Sequence, residues 1–293
     1  VSVALARAPR RSKLQRVLTE AASIALAVIL LIWSLAPVYN MLLIALDPGE
    51  GDIEFAGTVW PDEPSLKSFR VVFTGGYWFI ERFWHKFGNS LYIGLTTMLL
   101  TLLVGSLASF ALGRMRRRKG WLLPGIPLLT YVLPPSFMVI PYHRIMHIYG
   151  LSDSLCAVVA ADVTFAAPFA ILILQQHAKL IPLELDEAAR VDGASPVQVY
   201  LRIYLPLMAP ALAAVGTYAL LFAWNEYLYQ YLLLSSTRNM SVAVAIAQFF
   251  DADEAPWNYM MAAAVIYSLP PVVIFYVLRR YIAAGLTMGA VKG

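Results

Sequence analysis

Hydrophobic positions in this chain do not alternate or recur on one helical face; they run on, uncharged, for more than twenty residues at a time. Between Glu20 and Asp47 lie 26 uncharged residues, and further runs extend from Phe87 to Gly113 and from Gly120 to Tyr142. A fourth, Ser154 to Leu174, is interrupted only by Asp162; a fifth covers Ile203 to Asn225 and a sixth Asn258 to Leu278. A bilayer core of about 30 Å needs roughly 20 mostly apolar residues per helix. The pattern therefore predicts an all-α membrane protein with six transmembrane helices. The first run follows five basic residues but is longer than the roughly 7–15 residues of a cleavable signal core, so it reads as a retained helix. Pro134-Pro135 and Pro270-Pro271 are expected to break helices at depth, where neighbours or cavity water must satisfy the freed carbonyls.

Composition agrees: 60% of the residues are hydrophobic and only 14% charged, against roughly 45–50% and about 25% in soluble domains. Soluble, disordered and nucleic-acid-binding classes are excluded. Lone Cys156 removes disulfide frameworks and multi-cysteine metal sites. The net charge of +4 matters less than its distribution. Sixteen of the 22 Lys and Arg residues fall in the N-terminal arm, the loops after the second and fourth runs, and the tail. The alternate loops hold the other six and most of the acids, including Asp47, Glu50, Asp52 and Glu54. The positive-inside bias puts both termini in the cytoplasm. Residues 1–20 then form a cytoplasmic arm, 21–293 one transmembrane domain, 47–86 an external loop and 175–204 a cytoplasmic one. The external loop exceeds a simple turn, and its Trp60-Pro61 and Tyr77-Trp78-Phe79 give it material to fold against the bundle or a partner.

The cytoplasmic loop is too elaborate for a connector. Pro182 suits a first helical position, Glu184, Asp186 and Glu187 favour a helix's positive end, and Gly193 suits its left-handed cap. Ser195-Pro196-Val197-Gln198 fits a capping box that starts a second helix. Two short helices with a sharp glycine turn are expected in water beneath the membrane, with Pro206 and Pro210 marking the return. Small Ala188 and Ala189 allow a partner close to the backbone, and Glu187 offers it a carboxylate. The alternative, a helix lying on lipid, is opposed by four acids (Glu184, Asp186, Glu187, Asp192) against Lys179 and Arg190.

Glu187-Ala188-Ala189, three residues, Gly193, nine residues, then Ile203-x-Leu205-Pro206 resembles the EAA loop of ATP-binding-cassette importer permeases. Further similarities point to the carbohydrate importers of the maltose-permease type: Leu66–Phe73, Gly88-Asn89-Ser90-Leu91, Ala111–Arg116, Tyr149–Asp153, Trp224-Asn225-Glu226 and the terminal stretch Gly285–Gly293. The resemblance implies that Glu187, Ala188, Ala189, Asp192, Gly193, Ile203, Leu205 and Pro206 couple the chain to a cytoplasmic ATPase. It implies that the tail Gly289, Ala290, Val291, Lys292 and Gly293 reaches towards the ATPase pair. Implied partners are a second related permease, two ATPase subunits that hold the ATP and Mg, and an extracytoplasmic binding protein, all at a bacterial inner membrane. The chain itself holds no cofactor on this reading. It contains no G-x-x-x-x-G-K-[ST] phosphate loop, zinc pattern or G-x-S-x-G elbow, so any ATP hydrolysis falls to another polypeptide.

Polar residues inside the runs are functional candidates, because a charge at membrane depth costs about 2.5–3.5 kcal/mol on insertion scales. Asp162 is expected either to meet sugar hydroxyls or to pair with a neighbouring Tyr or Thr. Trp224, Asn225 and Glu226 lie near the pathway or form an interfacial cap. A sugar is the implied solute, with a polyol or glycerol-phosphate-type solute as the alternative; the absence of basic residues from the runs favours a neutral one. A proton-coupled carrier using Asp162, Glu226 and His177 is a different reading, as is a scaffold or receptor without transport. The carrier leaves the cytoplasmic helix pair unexplained, and the scaffold the buried polar groups.

Overall fold

The structure is a computed structural model that describes residues 13–49, 59–61, 63–114, 129–251 and 255–290. The side chains of residues 13, 14, 16 and 281–290 are not among those described. The described residues form helices and the turns that join them, without a strand. Four helices are long and apolar enough to cross a membrane: α1 (Lys13–Leu46), α3 (Phe83–Gly113), α5 (Leu155–Ala178) and α12 (Trp257–Ala290). A bent pair adds a fifth crossing, giving four or five spans among the described residues.

Three boundaries differ from the sequence pattern. The helix α1 begins at Lys13, so the expected arm and first span overlap. The third run has its described helix, α4, at Pro135–Ile148, extending beyond Tyr142 to include His143, Arg144 and His147; residues 120–128 of the run lie outside the described residues. The fifth run is not one straight rod. It is the later part of a helical stretch that begins before it, made of α7 (Pro196–Val199), a π-helical turn Tyr200–Tyr204, α8 (Leu205–Leu207) and α9 (Ala209–Asn225), with a 79° bend between the α7–α8 arm and α9. Pro206 and Pro210 explain the break, since each removes a backbone donor and crowds the carbonyl four residues earlier. The wide π-turn just before Pro206 relieves that crowding.

The centre of the bundle is α3, which packs along both α5 and α9; α9 also packs on α12, and α12 on α1. Close approach depends on small residues, as is usual between helices in lipid. A Cβ built on Gly105 would lie 3.1 Å from Ala170 Cβ and from Leu174 Cδ1, and one on Gly94 would lie 3.2 Å from Trp224. The segment before α3 folds back on the bundle. Its helix α2 (Lys67–Thr74) and the turn Trp78–Ile80 bury Val72, Phe79 and Ile80 against α12, α11 (Val242–Ala247) and Phe249. Lys86, buried at the start of α3, donates its ammonium to the Phe79 carbonyl at 2.7 Å and ties that turn down.

The helix α12 runs unbroken through Pro270 and Pro271, contrary to expectation. The reason is visible at Tyr267, whose carbonyl loses its helical donor because Pro271 has no N–H. Trp224 Nε1 donates to that carbonyl at 3.2 Å, so the neighbour supplies the missing hydrogen bond and the helix persists.

Candidate functional site

Two groups of residues stand out, one in the segment 175–204 and one within the bundle. In the loop, α6 (Glu184–Val191) starts at Leu183 without a side-chain cap, two residues later than Pro182 would place it. It ends as Gly193 requires. Gly193 has φ 83°, its N–H reaches Arg190 O at 3.0 Å, and Ala194 N–H reaches Ala189 O at 2.9 Å. This is a Schellman end. Ser195 then opens α7 with a complete capping box: Gln198 N–H to Ser195 Oγ at 3.3 Å and Ser195 N–H to Gln198 Oε1 at 2.7 Å. Glu187, Ala188, Asp192 and Gly193 are exposed on this turn, with Ala189 half-buried. Ile203 and Leu205 are half-buried beyond the second turn and Pro206 is exposed, so they form the return arm rather than part of the same face.

Asp186 does something the sequence reading missed. It is 5% exposed and forms a two-pronged ion pair with Arg114, the residue that ends α3. Arg114 Nη2 donates to Asp186 Oδ1 at 2.7 Å, and Nε pairs with Oδ2. Two hydroxyl pairs tie the π-turn to the same end of α3: Ser106 Oγ with Tyr200 OH at 2.7 Å and Ser109 Oγ with Tyr204 OH at 2.8 Å. Arg114 was legible only as one more basic residue, and Asp186 only as an acid at a helix start. Nothing in local sequence links positions 72 residues apart.

Within the bundle, Asp162 on α5 is fully buried, and neither carboxylate oxygen has a hydrogen-bond partner. The expected pairing with Tyr or Thr is therefore not made. Tyr142, Tyr229 and Glu226 lie within electrostatic reach, so α4 and α10 (Leu228–Leu233) close the site. Gln230 Oε1 is a second buried acceptor without a donor.

Glu226 itself is a helix cap. Its carboxylate accepts the Tyr229 N–H at 2.9 Å and the Gln230 N–H at 3.2 Å, at the start of α10. Trp224 is a clamp: besides its bond to Tyr267, it stacks on that ring at 4.7 Å and receives the Tyr267 hydroxyl on its carbonyl at 2.8 Å. Asn225 is exposed at the end of α9, with its amide on Leu221 O. His177 binds its own helix at Ile173 O and lies fifteen residues from Asp162, about 22 Å along α5. The two are therefore too far apart for direct proton transfer. In the tail, Gly289 and Ala290 end the backbone of α12, while Val291, Lys292 and Gly293 lie outside the described residues.

Comparison with known proteins bears on these arrangements. Residues 98–288 match the family model described as binding-protein-dependent transport system inner membrane component. The inner membrane ABC transporter permease protein YcjP of Escherichia coli is 30% identical over 90% of this chain and 93% of its own length. The trehalose transport system permease protein SugB of Mycobacterium tuberculosis is 32% identical over 89% and 93%. The diacetylchitobiose uptake system permease protein DasC of Streptomyces coelicolor is 31% identical over 91% and 95%. Among solved structures, a chain of a bacterial ABC transporter that imports the acidic polysaccharide alginate superposes with a TM-score of 0.73. It is 20% identical, and the match covers 94% of this chain and 99% of that one. At that identity the likeness concerns the fold alone.

Proposed function

Because the chain belongs to the binding-protein-dependent transport system inner membrane components, and is a permease subunit rather than an enzyme, we propose that it carries a neutral sugar or oligosaccharide inward through its bundle. ATP hydrolysis belongs to a separate subunit. The trehalose, diacetylchitobiose and arabinooligosaccharide systems of its relatives support a sugar, and the absence of Lys and Arg from the six apolar runs of the sequence supports a neutral one. Buried Lys86 is committed to the Phe79 carbonyl near the external end of α3.

In this reading the chain crosses the bilayer six times with both termini inside, as the distribution of Lys and Arg requires. It pairs with a second permease, two ATPases dock from the cytoplasm, and a binding protein delivers solute to the external loops. The segment Glu187–Gly193 is the docking element, with Ile203, Leu205 and Pro206 fixing the angle at which the chain returns to the bilayer. The tail Gly289–Gly293 lies on the same side as the ATPases. Asp162 is the pathway group, its free acceptors suited to sugar hydroxyls once the helices part, with Asn225 beside the exit of α9. Trp224 and Glu226 shape that region as clamp and cap.

One observation carries the docking assignment. The helix α6 turns its only buried residue towards α3 and leaves Glu187, Ala188 and Val191 uncovered, Val191 at 89% exposure. The test is Glu187→Lys and, separately, Gly193→Asp in the intact complex. Each is expected to abolish sugar uptake and release the ATPases during purification. Uptake that survives both substitutions refutes the assignment.

A further inference from the structure

We propose that the Asp186–Arg114 pair is the mechanical link through which α6 moves the bundle. Asp186 is a positioning residue for transport, distinct from the residues that touch the ATPase. The proposal rests on the reading of α6 as the docking element.

A short helix can transmit displacement only through the contacts that fix it to something rigid. Here those contacts are few. Asp186 is the one buried residue of α6, while Leu183, Leu185 and Val191 are all exposed. Among the described residues no member of α6 belongs to an apolar cluster, so the ion pair is the principal attachment of its middle turn. Successive residues of a helix point about 100° apart, so Glu187 and Asp186 serve opposite duties, one outward and one inward.

The attachment on α3 is built to be stiff. Arg114 Nη1 donates to Phe110 O at 3.2 Å, spending one donor on the last turn of its own helix. The guanidinium lies 3.6 Å from the centre of the Phe110 ring and 5.3 Å from that of Tyr204. A planar cation laid on the Phe110 ring, hydrogen-bonded through Nη2 to Asp186 Oδ1 and ion-paired through Nε with Oδ2, is confined in both tilt and position. Tyr204 is in turn held by Ser109, and Tyr200 by Ser106. The start and the end of the cytoplasmic loop therefore converge on the last two turns of α3. Because α3 packs along α5 and α9, a push on α6 reaches the helix that carries Asp162.

The test uses the complete complex of both permeases and both ATPases, with Cys156→Ser as background. Spin labels at Leu185→Cys on α6, exposed and outside the docking segment, and Leu103→Cys on the exposed face of α3 report their separation, nucleotide-free and trapped with ATP and vanadate. With the pair intact, one narrow distance distribution is expected, the same in both states, because α6 and α3 move together. Arg114→Ala should broaden the distribution and shift it on trapping while the ATPases still co-purify. Arg114→Lys, which keeps the charge but cannot fork or stack, should fall between and serves if the alanine variant does not assemble. The reciprocal exchange Arg114→Asp with Asp186→Arg should recover the narrow distribution. A distribution in both single variants as narrow and unmoved as the wild type's overturns the proposal, as does an exchange no better than either single change. The docking reading fails separately, by ATPases that remain bound to Glu187→Lys.

Discussion

Replacing Asp162 by leucine keeps the branched side-chain skeleton and removes two oxygens that hydrogen-bond to nothing. Asp162 is the eighth residue of α5, about 10 Å into the helix, and has no exposed surface. If the carboxyl is neutral there, leaving it unpaired costs about 1–3 kcal/mol. If it is ionised, insertion scales put it at about 2.5–3.5 kcal/mol, against a gain of about 0.3–0.6 for leucine. Asp162→Leu should therefore stabilise the permease by at least about 1 and at most about 4 kcal/mol. Read as the thermal midpoint of the purified complex, that is a rise of several degrees. A hydrogen bond to a charged acceptor contributes about 1.5–3 kcal/mol, so uptake should fall at least about tenfold if the carboxylate meets sugar hydroxyls during transport. Asp162→Asn, which keeps one acceptor, should be intermediate in both. A leucine variant that is less stable refutes the claim that Asp162 holds no neighbour. One that is more stable and transports normally refutes its place on the pathway.

Two further outcomes follow from the packing and the external loops. Gly105→Ala puts a methyl 3.1 Å from both Ala170 Cβ and Leu174 Cδ1 and should destabilise the permease by about 1–3 kcal/mol for overpacking, read as a lower thermal midpoint; an unchanged midpoint would mean the α3–α5 contact is not limiting. Asp153, in the connection before α5, accepts the Ser235 and Ser236 N–H groups at 2.8 and 3.1 Å. Burial pushes its carboxyl up, but the hydrogen bonds from Ser236, Ser235 and Asn239 outweigh it and hold the group below its usual range. Its stabilisation is therefore complete above the unfolded value near 4 and is lost as pH falls through the lower folded one. The stability difference between wild type and Asp153→Asn, from thermal unfolding at several pH values, should be constant above about pH 5 and vanish at lower pH.

Membrane character, the helical class and the pair of short helices α6 and α7 were legible in the sequence because each depends on local physics. Lipid demands unbroken apolar length, a left-handed turn demands Gly193, and a capping box needs only Ser195 and Gln198. The same local rules overreached at Pro270-Pro271, where they imply a broken helix. There the outcome depended on Trp224, more than forty residues away, donating to the carbonyl that Pro271 leaves free. Glu226, readable as near the pathway or as an interfacial cap, accepts two N–H groups at the start of α10, and Asp162, readable as meeting sugar hydroxyls or as pairing with Tyr or Thr, has no hydrogen-bond partner in the bundle. The tie between Asp186 and Arg114 had no local signature at all. An ion pair has no sequence spacing when its members sit on different helices, and only the packing of α6 beneath α3 brings those two charges within reach.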